Sequence, residues 1–328
     1  MNPRLVLLIA SAALISVLTL TQTAQLIATD PVVWHMVNVN DEVSQGDAHL
    51  LTTSLGMSVL IDVGGYESAK RKLLPYLRAQ HIESVDHVFV THPHKDHYGG
   101  LMALMEGGIR FKKVYFNLPD KPTCDAEIPW GCDYKDVLAV QARIKGSGAE
   151  LSTVGQRFRV DLGFRSHLTV IYAFDNTSTP VGPLDINDMS LIIRFRHQDS
   201  SVLFTGDLNA LIGHYLSQVN EDLHATILKV PHHGTEGVAP NAFFEKVNPE
   251  IAMVPAPLWL WCSARSERIR HWHDAHHVPT YVNGIHGHVV TTFGDHGAVV
   301  AAEHGERSRN PLLMCAESGQ GGLPAFAQ

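Results

Sequence analysis

The chain has 328 residues, 45% hydrophobic and 18% charged, which supplies material for a real core and excludes wholesale disorder. Lys and Arg number 25 against 33 Asp and Glu, a formal charge of −8. That balance lacks the basic excess that holds a phosphate backbone by counterion release, so it argues against long nucleic acid as a partner. At the start, Arg4 precedes an apolar run over residues 5–20, LVLLIASAALISVLTL. A charged n-region followed by an h-region predicts a secretory signal peptide, and residues 1–24 are set aside on that ground. No clean small-x-small cleavage site follows, so an uncleaved N-terminal anchor is the alternative. The run sits just below the ~20 residues that span a bilayer. The protein is therefore expected to be exported, periplasmic or extracellular, touching a membrane only through this segment if it is retained. No later segment is long and apolar enough to span.

Strands are predicted over residues 32–39, 49–53 and 57–63, the last running into the glycine turn IDVGG. Residues 66–80 carry helical spacing of Leu and Tyr. VDHVFVT, residues 85–91, reads as a β-branched strand. A helix starts at 101, a strand covers 113–117 and a helix 135–145. Residues 150–175 hold two or three strands, and 190–196 with 201–205 form a hairpin. A strand at 225–230, a helix at 240–246, a strand at 251–254 and a helix at 264–275 lead to a final hairpin, 289–293 with 298–302. The Gly, Ser, Pro and Gln after Arg307 predict a loose tail over 306–328. No repeat or linker divides residues 32–305, so one large mixed α/β domain is expected.

In an exported chain, four cysteines permit two disulfides in three pairings, with free buried thiols the bland alternative. Cys124 and Cys132 flank a short loop rich in turn formers and are the favoured pair. No C-x-x-C spacing exists, which argues against a cysteine zinc site.

The chemistry gathers where predicted strands end. VDHVFVT runs into His92-Pro93-His94-Lys95-Asp96-His97-Tyr98-Gly99-Gly100. Pro93 breaks any regular helix, so His92 and His94 leave an extended turn while Asp96 and His97 bend to a second point. Imidazoles and a carboxylate suit a borderline divalent ion, and two such clusters can seat two ions ~3.5–4 Å apart. A histidine-rich surface loop would not need this order between a strand and Gly-Gly. A second strand ends in Thr205-Gly206-Asp207 and a third in Val230-Pro231-His232-His233-Gly234. Each is weak alone. Together they place potential ligands at one edge of a sheet, where open α/β sheets hold their sites.

The order THPHKDHYGG, TGD, VPHHG resembles the metallo-β-lactamase superfamily. Gln45-Gly46-Asp47-Ala48, Leu60-Ile61-Asp62-Val63-Gly64, Asn187-Asp188-Met189-Ser190-Leu191 and LKVPHHGT resemble the hydrolase domain of ComEC-type DNA-uptake competence proteins and their stand-alone relatives. The resemblance covers roughly residues 32–302. It implies an αββα sandwich with a dinuclear centre, Zn2+ first, with Mn2+ or Fe as alternatives. It implies His92 and His94 as ligands of one metal, Asp96 and His97 of the other, and Asp207 between them. The closing His-Gly makes His233 the favoured ligand over His232, and Asp62 resembles a buried carboxylate that orients a ligand histidine. Many superfamily members supply a further histidine where this chain has Asn187-Asp188. His167 and His197 lie in the interval without a ligand-like context, so one metal position is expected to be weakly held.

The reaction implied is hydrolysis by a metal-held hydroxide, with Asp96, Asp207 and His232 as catalytic residues and His232 the first choice for the leaving-group acid. A phosphodiester-type substrate is favoured by the resemblance, and the acidic charge points to a small or surface-bound one. The alternatives are a lactone, thioester or β-lactam hydrolase, and a metal-stabilised binding protein without significant turnover. HWHDAHH at 271–277 and RSERIR at 265–270 read as solvated helix surface, and His286 with His288 as a turn. Trp130, Trp259 and Trp261 read as packing residues. Residues 111–136, with their Cys pair, are the candidate rim over the site.

Overall fold

The computed structural model describes residues 30–128, 131–163, 165–174, 185–219, 221–235 and 237–317. The apolar run at 5–20, Trp130 and the chain beyond Glu317 lie outside the described residues. No described helix is long and apolar enough to cross a membrane.

The strands are β1 (Val32–Met36), β2 (Ala48–Thr53), β3 (Ser58–Val63), β4 (Ser84–Val90), β5 (Arg110–Phe116), β6 (Glu150–Ser152), β7 (Arg159–Asp161), β8 (Ser166–Tyr172), β9 (Ile192–His197), β10 (Ser200–Phe204), β11 (Ile227–Lys229), β12 (Ile251–Val254), β13 (Thr280–Val282), β14 (Val289–Gly294) and β15 (Gly297–Ala302). They form two sheets, ordered β15-β14-β1-β2-β3-β4-β5-β6 and β13-β12-β11-β10-β9-β8-β7. β3 to β6 run parallel, as do β10 to β13. The outer parts are antiparallel, including the expected β9–β10 and β14–β15 hairpins.

Both faces of each sheet are covered, which is why the central strands read as nearly continuous apolar runs. Phe89 of β4 packs inward with Trp34, Ile61, Phe195, Val202 and Phe204 from both sheets. Its neighbours Val88 and Val90 face the other way, into the layer with Leu73, Leu77, Leu104 and Ile144. Across the molecule Leu203 and Leu228 meet Ile212, Phe243 and Phe244 of the opposite helix layer. The result is the helix–sheet–sheet–helix sandwich expected. Trp34 and Phe204 meet edge to face at 5.1 Å and join the two sheets at its centre.

Several expectations change. The tail is not loose through Glu317. Leu313–Glu317 is helical, Met314 is buried, Trp261 Nε1 donates to Met314 Sδ, and Cys315 is joined to Cys262. Cys124 pairs with Cys132 as favoured. His273 lies in the core, not on a solvated face. Its Nδ1 pairs with Thr280 Oγ1, and burial pushes its imidazole down to about 3, so it is held neutral. Arg268 and Arg270 bond backbone carbonyls of Val238, Ala239, Trp261 and Ser263 rather than waiting for a phosphate.

A helix at Ala210–Gln218 was not anticipated, because its cap is distant in sequence. Asp188 Oδ1 accepts the Asn209 N–H at 2.9 Å and the Ile212 N–H at 3.3 Å, satisfying orphan donors of that helix. Burial, then the Asp185 charge, push the Asp188 carboxyl up to about 6. A raised carboxylate makes the folded state bind a proton more readily than the unfolded state. Its contribution to stability therefore falls as pH rises from about 4 to about 6. Asn accepts the same backbone bonds without ionising. In metal-free protein, the urea midpoint of Asp188→Asn is expected to exceed that of wild type by a margin that grows across pH 4–7. A margin independent of pH would contradict this account.

Candidate metal centre

Each strand end turns sharply, and those turns aim the polar side chains. β4 stops at Val90, His94 is extended (φ −90°, ψ 143°), and the short helix Lys95–Tyr98 starts behind it, carrying Asp96 and His97. That helix packs on the end of β3, and Gly100 permits the approach: a Cβ there would lie 2.2 Å from Val63 O. At the end of β11, His232 (φ 49°), His233 (φ 52°) and Gly234 (φ 73°) are consecutively left-handed. Two non-glycine residues in that region cost about 1–2 kcal/mol each. Such strain persists only where surrounding structure over-determines it. Asp62, at φ 56°, is a third case.

The turns bring His92, Asp96, His97, Asp207 and His233 together. Asp207 Oδ2 lies 3.2 Å from His97 Nε2, 3.2 Å from His233 Nε2 and 4.0 Å from His92 Nε2. Asp96 Oδ2 is 3.4 Å from His233 Nε2 and 4.0 Å from His97 Nε2. The three Nε2 atoms are buried and make no hydrogen bond among the described residues. Their Nδ1 atoms are tied down. Asp62 Oδ2 takes that of His97 at 2.8 Å, Pro255 O that of His233 at 2.8 Å, and Thr91 and Ser190 hydroxyls flank that of His92 at 3.1 and 3.3 Å. Buried donors left bare toward a common point, with their other faces anchored, are what a divalent ion of borderline softness requires. Asp47, His97, Asp207 and His233 each offer an atom within 4.8 Å of the others.

The electrostatics show the same demand. Burial would raise Asp207, but His233 and His97 outweigh it and hold the carboxyl well below the ordinary carboxylate range. Burial would lower His97 and His233, but Asp207 with Asp62, and Asp207 with Asp47, hold them well above the ordinary imidazole value. His92, with burial and the His97 and His94 rings against it, is held well below. Without an ion, the buried carboxylates thus draw positive charge toward these two imidazoles. Lys229 supplies more. It is 1% exposed, ion-pairs with Asp47, donates to Gly206 O at 2.6 Å and lies 3.7 Å from Asp207 Oδ1.

Two expected residues sit differently. His94 stacks edge-on to His92 with ring centroids 4.6 Å apart, but its Nε2 meets Glu127 Oε2 at 2.6 Å. His232 stands outside the donor cluster, its Nδ1 2.7 Å from Asn209 Oδ1, so the geometry favours His233 of the pair. His197 bonds Ser166 at the far end of β9, and His286 is buried against Val282 and Ser308 backbone, so neither joins the site. His288 accepts the Asn38 N–H, again away from it. Sequence reasoning missed Asp47, Lys229 and Glu127 as parts of the centre. The first two sat in quoted segments, QGDA and LKVPHHGT, where a lysine inside an apolar strand was the available signal. Glu127 carried none.

Residues 42–109 match the family model described as metallo-beta-lactamase superfamily. ComE operon protein 3 of Bacillus subtilis (strain 168) is 27% identical over 217 residues, 60% of this chain and 25% of that protein. An uncharacterized protein of Escherichia coli (strain K12), YcaI, is 22% identical over 236 residues, 70% of this chain and 26% of that protein. The chain thus spans about a quarter of the length of these curated relatives. Among solved structures, Zn(2+)-bound PqqB from Methylobacterium extorquens superposes with a TM-score of 0.44 at 10% identity, over 77% of this chain and 97% of that one. BJP-1, a subclass B3 metallo-beta-lactamase of Bradyrhizobium japonicum, gives 0.39 at 12% identity, over 71% and 89%.

The Lys229–Asp47 pair carries a stability prediction. Lys229→Met leaves Asp47 buried without its ammonium and is expected to destabilise the metal-free protein by about 3–5 kcal/mol in urea unfolding. Asp47→Asn in the Lys229→Met background is expected to recover much of that loss. Additive effects of the two changes would contradict a direct pairing.

Proposed function

We propose that this chain, whose residues 42–109 match the metallo-beta-lactamase superfamily model, is a metal-dependent hydrolase that acts on a small or surface-borne phosphodiester outside the cytoplasm. The observation that carries the hydrolytic reading is the convergence of bare, buried Nε2 atoms of His92, His97 and His233 on Asp207. We assign His92, His94, Asp96, His97, Asp207 and His233 as ligands of two divalent ions, zinc first. Bound there, such ions supply a water of lowered pKa and Lewis acidity toward a substrate oxygen.

The chain's own groups do the rest. Asp207, shared between imidazoles of both clusters, sets the spacing of the centre, and Ser190 Oγ holds it by accepting the Asp207 N–H at 2.9 Å. Asp62 orients His97 and also accepts from Thr91 N and Oγ1, so one buried carboxylate fixes the strand end and the ligand together. Burial, the largest effect on His232, lowers its imidazole below the ordinary value, and Asn209 Oδ1 takes its Nδ1–H. Nε2 then presents a lone pair. In this state His232 can accept a proton and has none at Nε2 to deliver, which favours a base or acceptor role over leaving-group acid.

One feature supports a diester over a carbonyl substrate: the likeness of the flanking segments to ComEC-type hydrolase domains, in line with the similarity to ComE operon protein 3. Two disulfides support export, because such bonds persist in oxidising compartments.

Zinc-loaded protein is expected to hydrolyse bis(p-nitrophenyl) phosphate, with Asp207→Ala falling to the background rate while still folded by circular dichroism. Turnover of p-nitrophenyl acetate or a lactone with none of the diester would contradict the substrate class. Diester turnover retained in Asp207→Ala would contradict the site.

A further inference from the structure

The rings of the centre are anchored in two different ways. His92, His97 and His233 are fully buried, and core groups hold each through Nδ1. His94 is reversed. Its ring is 15% exposed, and its contact runs through Nε2 to Glu127, on a surface excursion rather than in the core. That excursion begins with the short helix Lys121–Asp125, capped by Asp120, and is closed by the Cys124–Cys132 disulfide. Within the closed turn, Glu127 Oε2 also accepts the Cys132 N–H at 3.3 Å, and the Gly131 N–H returns to Glu127 O at 3.1 Å. The backbone passes so near the pair that a Cβ on residue 131 would fall 2.2 Å from Glu127 Oε2 and 3.0 Å from His94 Nε2. Only glycine fits there without displacing the carboxylate.

We propose that Glu127 is a positioning residue of the metal centre: it takes the Nε2–H of His94, fixes that ring, and so presents Nδ1 to an ion, and the Cys124–Cys132 disulfide holds it in place. The inference rests on His94 being a ligand. A neutral imidazole has one N–H, so a carboxylate that accepts at Nε2 leaves the lone pair at Nδ1. Carboxylates in this arrangement also raise ligand basicity, and their loss costs 10–100-fold in metal affinity. For the other three histidines the core supplies this restraint. For His94 a covalent cross-link over a short loop supplies it. The strength of one ligand is thereby tied to the oxidation state of a cysteine pair.

The test is zinc affinity of the oxidised full chain, by competition with a chromogenic chelator. The arms are wild type, His94→Ala, Glu127→Ala, Glu127→Gln and the double variant Cys124→Ser with Cys132→Ser. Glu127→Ala is expected to weaken the affected zinc equivalent about 10–100-fold. Glu127→Gln keeps an acceptor oxygen and is expected to recover part of that loss, which a merely structural role would not require. The double cysteine variant is expected to weaken the same equivalent, with metal-free circular dichroism unchanged. Zinc bound as tightly as in wild type, or more tightly, by Glu127→Ala while His94→Ala binds weakly would overturn the inference and make Glu127 a bystander or a cover. Zinc binding unaffected by His94→Ala would overturn the ligand assignment itself, and the inference with it.

Discussion

Carboxylates buried at one point need cations, and the centre of this molecule is organised by that need. Asp47, Asp62 and Asp207 are fully enclosed, and Asp96 joins them from the mouth of the site. Isolated carboxylates in such a place would protonate or unfold the region. Lys229 answers part of the charge, and the imidazoles of His97 and His233, drawn toward protonation, answer more. A divalent ion meets the same demand with lone pairs already aimed at it. An ion bound by the proposed ligands would therefore couple metal binding to folding, since those groups are the ones whose burial costs most without one.

The sandwich explains how such a cluster can be built. Its central strands are largely apolar on both faces, so the polar groups of the centre gather where the strands end. β3, β4, β10 and β11 all end at the same place, and three of them turn through left-handed residues there: Asp62 in β3, Gly206 after β10, and His232 and His233 after β11. Strain in the turns is offset by hydrogen bonds that cross from one strand end to another. Thr91 to Asp62, Asp207 to Ser190, and Thr205 Oγ1 to Lys229 O are such bonds. The same links that close the fold aim the donors, which makes stability and ligand geometry hard to alter separately.

What was legible in the sequence was local. H-x-H-x-D-H after a β-branched strand, T-G-D and V-P-H-H-G each announce a strand end, and the αββα sandwich was implied by the resemblance that their order carries. Most strands and the helices near 66–79, 100–106, 134–146, 241–247 and 267–275 were found within a few residues, because periodicity and turn residues mark them; β13, the helix Ala210–Gln218 and several one-turn helices were not. Groups whose meaning depends on a distant partner were not legible. Lys229 reads as an interruption in a strand until Asp47, far away in sequence, is found against it. Asp188 reads as a turn residue until it caps a helix over twenty residues later. His273 lies in a charged, histidine-rich stretch yet is buried, with Thr280 pairing its Nδ1, and that burial holds it neutral. The short tail helix, read as a loose tail, is held by Met314 and by the Cys262–Cys315 disulfide, the complement of the favoured Cys124–Cys132 pair.

The most direct test of the central claim is the position of bound metal. Crystals of the oxidised protein grown with zinc, measured at the zinc absorption edge, should show anomalous density about 2.0–2.2 Å from His97 Nε2, His233 Nε2 and an Asp207 oxygen. A second peak should lie against His92 and His94. Ordered density for all these side chains in excess zinc, with no anomalous peak among them, would contradict the account.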